Sequence, residues 1–150
     1  MQAELGFELT REVLATADVF LRESQRLFRP HGMTAAQYNV LNILATADRG
    51  LSQREIGDVL VVDRSNVTGL IDRLEKAGWV KRSDDPADRR IYRVTLTTAG
   101  KKRFEAVRPG YHSVVAQVTK GLDVRKAKET LELLKQLQAG AQGWELPAKS

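Results

Sequence analysis

The chain contains no cysteine. Disulfides, thiolate-held metals and thiol redox sensing are therefore excluded. Two histidines, His31 and His112, stand far apart, which leaves little for a metal site or a Ser-His-Asp device. No paired carboxylates, nucleophile-base set or phosphate-cradling glycine loop stands out, so neither catalysis nor a cofactor is expected. No apolar run approaches the ~20 residues of a membrane span. The opening MQAELGFELTREV alternates charged and apolar residues and does not read as a secretory signal. The expected address is the cytoplasm, with no membrane partner.

What is present is an ordinary apolar share and an uneven charge. At 150 residues the chain can bury a real core as one unit. The formal net charge is +5. Residues 49 to 103 hold 13 Lys/Arg against 8 Asp/Glu, while the flanks hold 11 of each. The whole excess thus falls on one stretch. A solvated surface would account for a basic excess by itself; when it coincides with a groove-binding fold, phosphate is the natural partner.

Apolar positions at helical spacing (Leu9, Val13, Ala17, Phe20, Leu27, Phe28) predict a long first helix over roughly Glu4 to Phe28. Arg29-Pro30-His31-Gly32 stops it. Thr34 and Gln37 form a capping box for a second helix with Tyr38, Leu41, Leu44 and Ala45 inward, and Ser52 with Glu55 does the same for a third with Ile56, Val59 and Leu60 inward. Asp63 is the expected N-cap of a fourth helix, whose stripe is Val67, Leu70, Ile71 and Leu74 and whose stop is Gly78. The period then changes to two. Val80-Lys81 and the run Ile91 to Leu96 predict a hairpin joined by a turn from Ser83 to Arg89 that contains Pro86. Thr97-Thr98 opens a fifth helix whose stripe keeps phase through Pro109, so one kinked helix is expected and not two. Asp123 caps a sixth helix with a wide apolar face of Leu131, Leu133, Leu134 and Leu137.

Two short helices, a tight connection and a two-stranded ribbon make Leu51 to Leu96 a winged helix-turn-helix, a device that lays one helix in the DNA major groove and a hairpin beside it. The fold class is mainly α, with a small β-hairpin wing and long N- and C-terminal helices for dimerisation. Residues 34–96 form the DNA-binding region, 1–33 together with 97–143 the helical dimerisation region, and 144–150 a tail. The terminal helices carry more apolar surface than one small module can cover, which favours a two-fold dimer over a monomer that folds them across its own core.

The run Asp85-Pro86-Ala87-Asp88-Arg89-Arg90, followed by Val94-Thr95-Leu96-Thr97-Thr98-Ala99-Gly100, resembles the wing signature of the multiple antibiotic resistance regulator (MarR) family, D-x-x-D-x-R, four residues, then x-L-T-x-x-G. Val67-Thr68 with Leu70 to Gly78 is similar to that family's recognition helix. The resemblance spans nearly the whole chain. It implies a homodimeric regulator from bacteria or archaea, usually a repressor released by a small molecule and bound to a palindromic double-stranded operator. The family's minor-groove arginine maps onto Arg90, beside Arg89, with Asp88 placed to hold it as a bidentate pair. The physical sense is general, because a narrow minor groove concentrates negative potential. A simple staple across the turn is the alternative for Asp88 and Arg90.

For the major groove the expected residues are Arg64, Ser65, Asn66 and Thr68 on the first turns of the fourth helix, since that end reaches base edges. Plain capping is the alternative for Ser65 and Asn66. Ser52, Gln53, Arg54, Arg73, Lys81 and Arg82 are expected at phosphates, although Arg54 could simply be solvated. Lys81, Arg82, Arg89, Arg90 and Arg93 of the wing carry the non-specific affinity. By the resemblance, an effector, small and aromatic or phenolic, would sit where the terminal helices meet the winged helix, with Phe28, His31, Tyr38, Tyr111 and His112 as candidate lining. A winged helix that binds only protein is the alternative reading, but it would need neither the D-x-R of the wing nor the local positive charge.

Overall fold

Side chains at the helix starts decide where the chain turns. In the computed structural model, which describes residues 2–60, 66–88 and 90–143, α1 (Gln2–Phe28) ends in a single 3-10 turn (Arg29–His31), and Gly32, at φ 62°, lets the chain reverse. Thr34 caps α2 (Ala35–Thr46): its hydroxyl accepts the Gln37 N–H at 3.2 Å, and the Gln37 carboxamide accepts the Thr34 N–H at 2.9 Å. Ser52 and Glu55 repeat the box at 3.2 and 2.7 Å to start α3 (Gln53–Val59). A cap of this kind is worth ~1 kcal/mol. The expected cap Asp63 lies outside the described residues, and α4 is described as Val67–Lys76. Gly78, at φ 73°, closes it.

β1 (Val80–Asp84) and β2 (Tyr92–Leu96) pair antiparallel in a register that runs from Val80 opposite Leu96 to Asp84 opposite Tyr92. The strand therefore continues through Ser83 and Asp84, where a turn was expected. Cross-strand pairing with Arg93 and Tyr92 extends it, and the turn contracts to the residues around Pro86. Leu51 exchanges both backbone hydrogen bonds with Val94, at 3.1 and 2.8 Å, and ties the hairpin to the segment ahead of α3.

The core sits around α2, which touches α1, α3, α4 and β2. Tyr38, Val40, Leu41 and Leu44 meet Ile56 and Leu60, the stripe Leu70, Ile71 and Leu74, and Val80 and Val94 of the hairpin. Phe28 and Met33, and Phe104 and Val107 of α5 (Thr98–Val118), complete it, so the core reaches past residues 34–96 on both sides. Two inward assignments change. Val59 is 60% exposed, because the chain leaves α3 at Leu60 in an extended conformation and Leu60 takes the inward place. Ala45 is exposed and Val40 is buried, because a helix surrounded by four neighbours buries a wider face than one stripe.

α5 is one helix with Pro109 inside it. The described chain divides into two compact units that part between His112 and Ser113. In the second, Asp123 Oδ1 accepts the Lys126 N–H at 2.9 Å and caps α6 (Val124–Gly143). Leu131, Leu133, Leu134 and Leu137 stay exposed along α6, as do Leu5, Phe7, Leu14 and Phe20 along α1. No described helix is long and apolar enough to cross a membrane.

The start of α5 is clasped to the turn after α4. Thr97 donates its backbone N–H to the Trp79 carbonyl at 3.0 Å and its hydroxyl to the Gly78 carbonyl at 2.6 Å, and that hydroxyl accepts the Gly100 N–H at 3.0 Å. Gly100 is buried against Trp79, and a Cβ there would overlap the Trp79 carbonyl. In a free helix, Gly→Ala stabilises by roughly 0.5–1 kcal/mol. Gly100→Ala is expected instead to destabilise the protein by at least about 2 kcal/mol in urea denaturation, because backbone and not a flexible side chain must move. An unchanged or raised midpoint would contradict the clasp.

Candidate nucleic-acid interface

Local hydrogen bonding shapes the turn of the wing. Asp85 is buried, its Oδ1 accepting the N–H groups of Ala87 at 2.7 Å and Asp88 at 3.2 Å, and its Oδ2 pairing with the Arg93 guanidinium. These backbone bonds, then the guanidinium, hold its carboxyl below the usual carboxylate range. Beyond it stands Arg90, whose side chain is 89% exposed. Asp88 grips that guanidinium in a bidentate pair, Nε to Oδ1 at 3.0 Å and Nη2 to Oδ2 at 2.9 Å, and also accepts the Arg90 backbone N–H at 3.0 Å. The same pairing depresses the Asp88 carboxyl. Arg89, next in sequence, lies outside the described residues.

Arg64 and Ser65 also lie outside the described residues. Asn66 stands at the start of α4, exposed, and its side chain makes no capping bond, so its amide is not spent on the helix start. Thr68, two residues on, is exposed and lies 3.0 Å from the Gln53 carboxamide of α3. Ser52 Oγ accepts the Glu55 N–H in the α3 cap at 3.2 Å. Arg54 is exposed and pairs with no described carboxylate. Arg73 and Lys81 are exposed on α4 and β1, and Arg73 borders a surface cleft with Leu21 and Gln25.

Two of the wing's basic residues are engaged inside the protein. Arg82 lies on β1 with a side chain only 18% exposed and pairs with two α4 carboxylates, Asp72 at 2.5 Å and Glu75. Arg93, on β2, bridges Asp85 and Glu55, the latter at 2.6 Å. Arg49 meets the other Glu55 oxygen at 2.5 Å. Glu55 therefore caps α3, anchors the wing and pairs with Arg49 at once. Sequence reading assigns it only the cap, because Arg93 lies 38 residues away.

The five aromatic and histidine candidates for an effector pocket separate. Phe28 stacks on Tyr38 and Tyr111 at 4.8 and 6.2 Å between ring centroids, Tyr38 and Tyr111 meet tilted at 5.0 Å, and Phe104 joins at 5.6 Å from Tyr38. They fill their own space. Burial holds the Tyr38 hydroxyl up at about 12. His31 sits on the 3-10 turn, where its carbonyl accepts from Arg103 at 3.3 Å. His112 borders a cleft of about 530 Å³ between α2 and α5, with Phe104, Lys101 and Arg108 also on its wall.

A trihelical core that exposes the start of its third helix, with a basic-tipped hairpin bolted alongside, is the build of a DNA-binding transcription regulator and not of an enzyme. The model of the MarR family matches residues 31–91. The HTH-type transcriptional regulator TtmR of Methylorubrum extorquens (strain PA1) is 34% identical over 146 residues, which span 96% of this chain and 74% of that protein. The transcriptional activatory protein BadR of Rhodopseudomonas palustris is 30% identical over 150 residues, 93% of this chain and 86% of that one. Among solved structures, a mutant MarR from E. coli complexed with operator DNA superposes with a TM-score of 0.77 at 30% identity, covering 87% of this chain and 93% of that chain. The chain belongs to the MarR family.

The Glu55 node gives the stability of the fold a pH dependence. The Arg49 guanidinium first, then the Ser52 N–H and hydroxyl, lower Glu55 from 4.5 to about 2. A depressed carboxyl contributes stability that is complete above its unfolded value and disappears as pH falls toward its folded one. Glu55→Gln is expected to be less stable than the parent at neutral pH, with the gap closing between pH 4.5 and about 2. Parallel stability curves across that window, measured by denaturant unfolding, would contradict the assignment.

Proposed function

We propose that the protein acts as a homodimer on a palindromic operator in the cytoplasm, with each protomer sending α4 into the major groove and Arg90 of the wing into the flanking minor groove. The observation that carries this reading is the presentation of Arg90: exposed at the hairpin end, yet oriented by Asp88 through two parallel hydrogen bonds. An arginine so held suits the concentrated negative potential of a narrow minor groove, and Arg89 adds charge beside it. Asn66 and Thr68, with Arg64 and Ser65 just ahead in sequence, are assigned to base edges. Arg54, Ser52, Gln53, Arg73 and Lys81 are assigned to phosphates, which position the protein without specifying sequence. The exposed leucines and phenylalanines of α1, and separately the exposed leucines of α6, support the second copy, since such faces are costly in water.

Release by a ligand is the further part of the proposal. The cleft bordered by Lys101, Arg108 and His112, with Phe104 in its wall, offers the Lys101 ammonium beside a ring, Arg108 being paired with Glu105 of the same wall, which suits a small aromatic acid. Such a ligand would release the operator by favouring a spacing of the two α4 helices that a duplex does not match. Repression is the sign that the family resemblance favours, whereas the Rhodopseudomonas relative is named as activatory; a promoter-reporter assay distinguishes the two.

The testing experiment is a gel shift at fixed salt with the duplex that the protein enriches from a randomised pool. Arg90→Ala is expected to weaken binding about tenfold or more, with the sedimentation of a dimer and the thermal midpoint unchanged. Equal affinity of variant and parent, or a monomer at working concentration, would overturn the reading.

A further inference from the structure

Arg82, Gln53 and Thr68 come from β1, α3 and α4, and they form one chain of hydrogen bonds. The Arg82 backbone N–H donates to Glu75 at 3.0 Å, and its guanidinium pairs with Glu75 and with Asp72 at 2.5 Å. Main chain and side chain are thus both fixed. The Gln53 carboxamide lies against the same guanidinium, which has only N–H groups to offer. The amide oxygen must therefore face it, accepting from Nη2 at 2.8 Å and Nε at 3.2 Å. The opposite orientation would set donor against donor. That choice turns the Gln53 Nε2 toward Thr68, where it donates to Oγ1 at 3.0 Å.

The consequence falls on the exposed end of the chain. A hydroxyl carries one proton and two lone pairs. With a lone pair of Thr68 taken by Gln53, its proton meets no acceptor among the described residues and is offered to a partner outside the protein. We propose that Arg82, through Gln53, sets the hydrogen-bond polarity of Thr68, so that the recognition helix presents a donor there and reads an acceptor on the duplex. This rests on the reading of α4 as the helix that meets DNA. Arg82 is then a positioning residue and not a phosphate contact. All but one of its N–H donors are occupied, and two carboxylates offset its charge. Without the guanidinium, the amide could turn over and let Thr68 donate inward, at the same distance and with the same shape.

A double-mutant cycle tests this on the duplex enriched by the unmodified protein and on a scrambled duplex. Thr68→Val keeps the shape and deletes the hydroxyl, and is expected to weaken binding about tenfold. Thr68→Ser keeps the donor and should bind within about twofold of the parent. Gln53→Glu still accepts from Arg82 but presents a second acceptor to Thr68, which forces the hydroxyl to donate inward. In that background Thr68→Val should cost less than about twofold, and the cycle cancels the effect of the added charge itself. Loss confined to the enriched duplex places the acceptor on a base edge and equal loss on both duplexes places it on a phosphate; either supports the inference. An equal cost of Thr68→Val in both backgrounds, no cost in the parent, or Thr68→Ser binding as poorly as Thr68→Val would overturn it. A parent that enriches no duplex would remove the DNA reading along with it, an outcome distinct from binding without coupling.

Discussion

The wing is a two-stranded ribbon, and a ribbon of that size does not hold its own position in water. The placement of its exposed end depends on its being fastened to the two helices beside it. Two arginines do this, one from each strand. Arg82 reaches Asp72 and Glu75 on α4, and Arg93 reaches Glu55 on α3 and Asp85 in the turn. In the register Arg82 opposes Val94 and Arg93 opposes Ser83, so successive positions across the ladder point to opposite faces. The wing is therefore held from both sides. The Leu51–Val94 bridge adds a third attachment, through the backbone.

This fastening changes what the charge of the stretch means. Counted from sequence, residues 49 to 103 hold the entire positive excess. Arg49, Arg82 and Arg93 are spent on carboxylates within the fold. Those pairs leave the net charge as it was, so the long-range attraction to a polyanion survives. They do alter which side chains can reach it. Arg54, Lys81 and Arg90 remain exposed, and Arg90 alone of these is oriented by a bidentate partner. A net charge predicts a class of partner, but the ion pairs decide which residues meet it.

The legible parts of the sequence were those in which cause and effect lie within one turn. Thr34 with Gln37 and Ser52 with Glu55 are three residues apart, and both boxes form. Gly78 and the alternation from Tyr92 to Leu96 are equally local. Long-range partners left no periodic trace. Arg82 and Glu75 lie seven residues apart across a turn, and Arg93 and Glu55 lie 38 apart. An arginine in a basic hairpin looks the same in sequence whether it points to a phosphate or to a carboxylate. The inward Val40 was hidden because a stripe rule supposes one buried face and α2 has neighbours on several, and the outward Val59 because the chain turns extended at Leu60, which periodicity does not reveal. The aromatic candidates Phe28, Tyr38 and Tyr111 come together in space, with ring centroids 4.8 to 6.2 Å apart.

The Asp88–Arg90 pair raises a question of sign, because in the proposed role a carboxylate at the tip of the hairpin repels phosphate. An exposed ion pair is worth little to folding, with a median of about 0–1 kcal/mol, so stability does not explain it. Entropy offers a better account. A free arginine has many rotamers, and immobilising a rotamer-rich side chain on binding costs roughly 0.5–1.5 kcal/mol. Asp88 bears that ordering cost beforehand, since two parallel bonds to the guanidinium and a third to the backbone N–H fix both the side chain and the turn that carries it. Its repulsion acts through water at the exposed end and is screened by salt, while the orientation that it gives Arg90 is kept at any ionic strength at which the pair survives. In the proposed role, Asp88 therefore gives up some attraction at a distance in return for an arginine already oriented on contact, which improves the discrimination of groove shape more than the gross affinity.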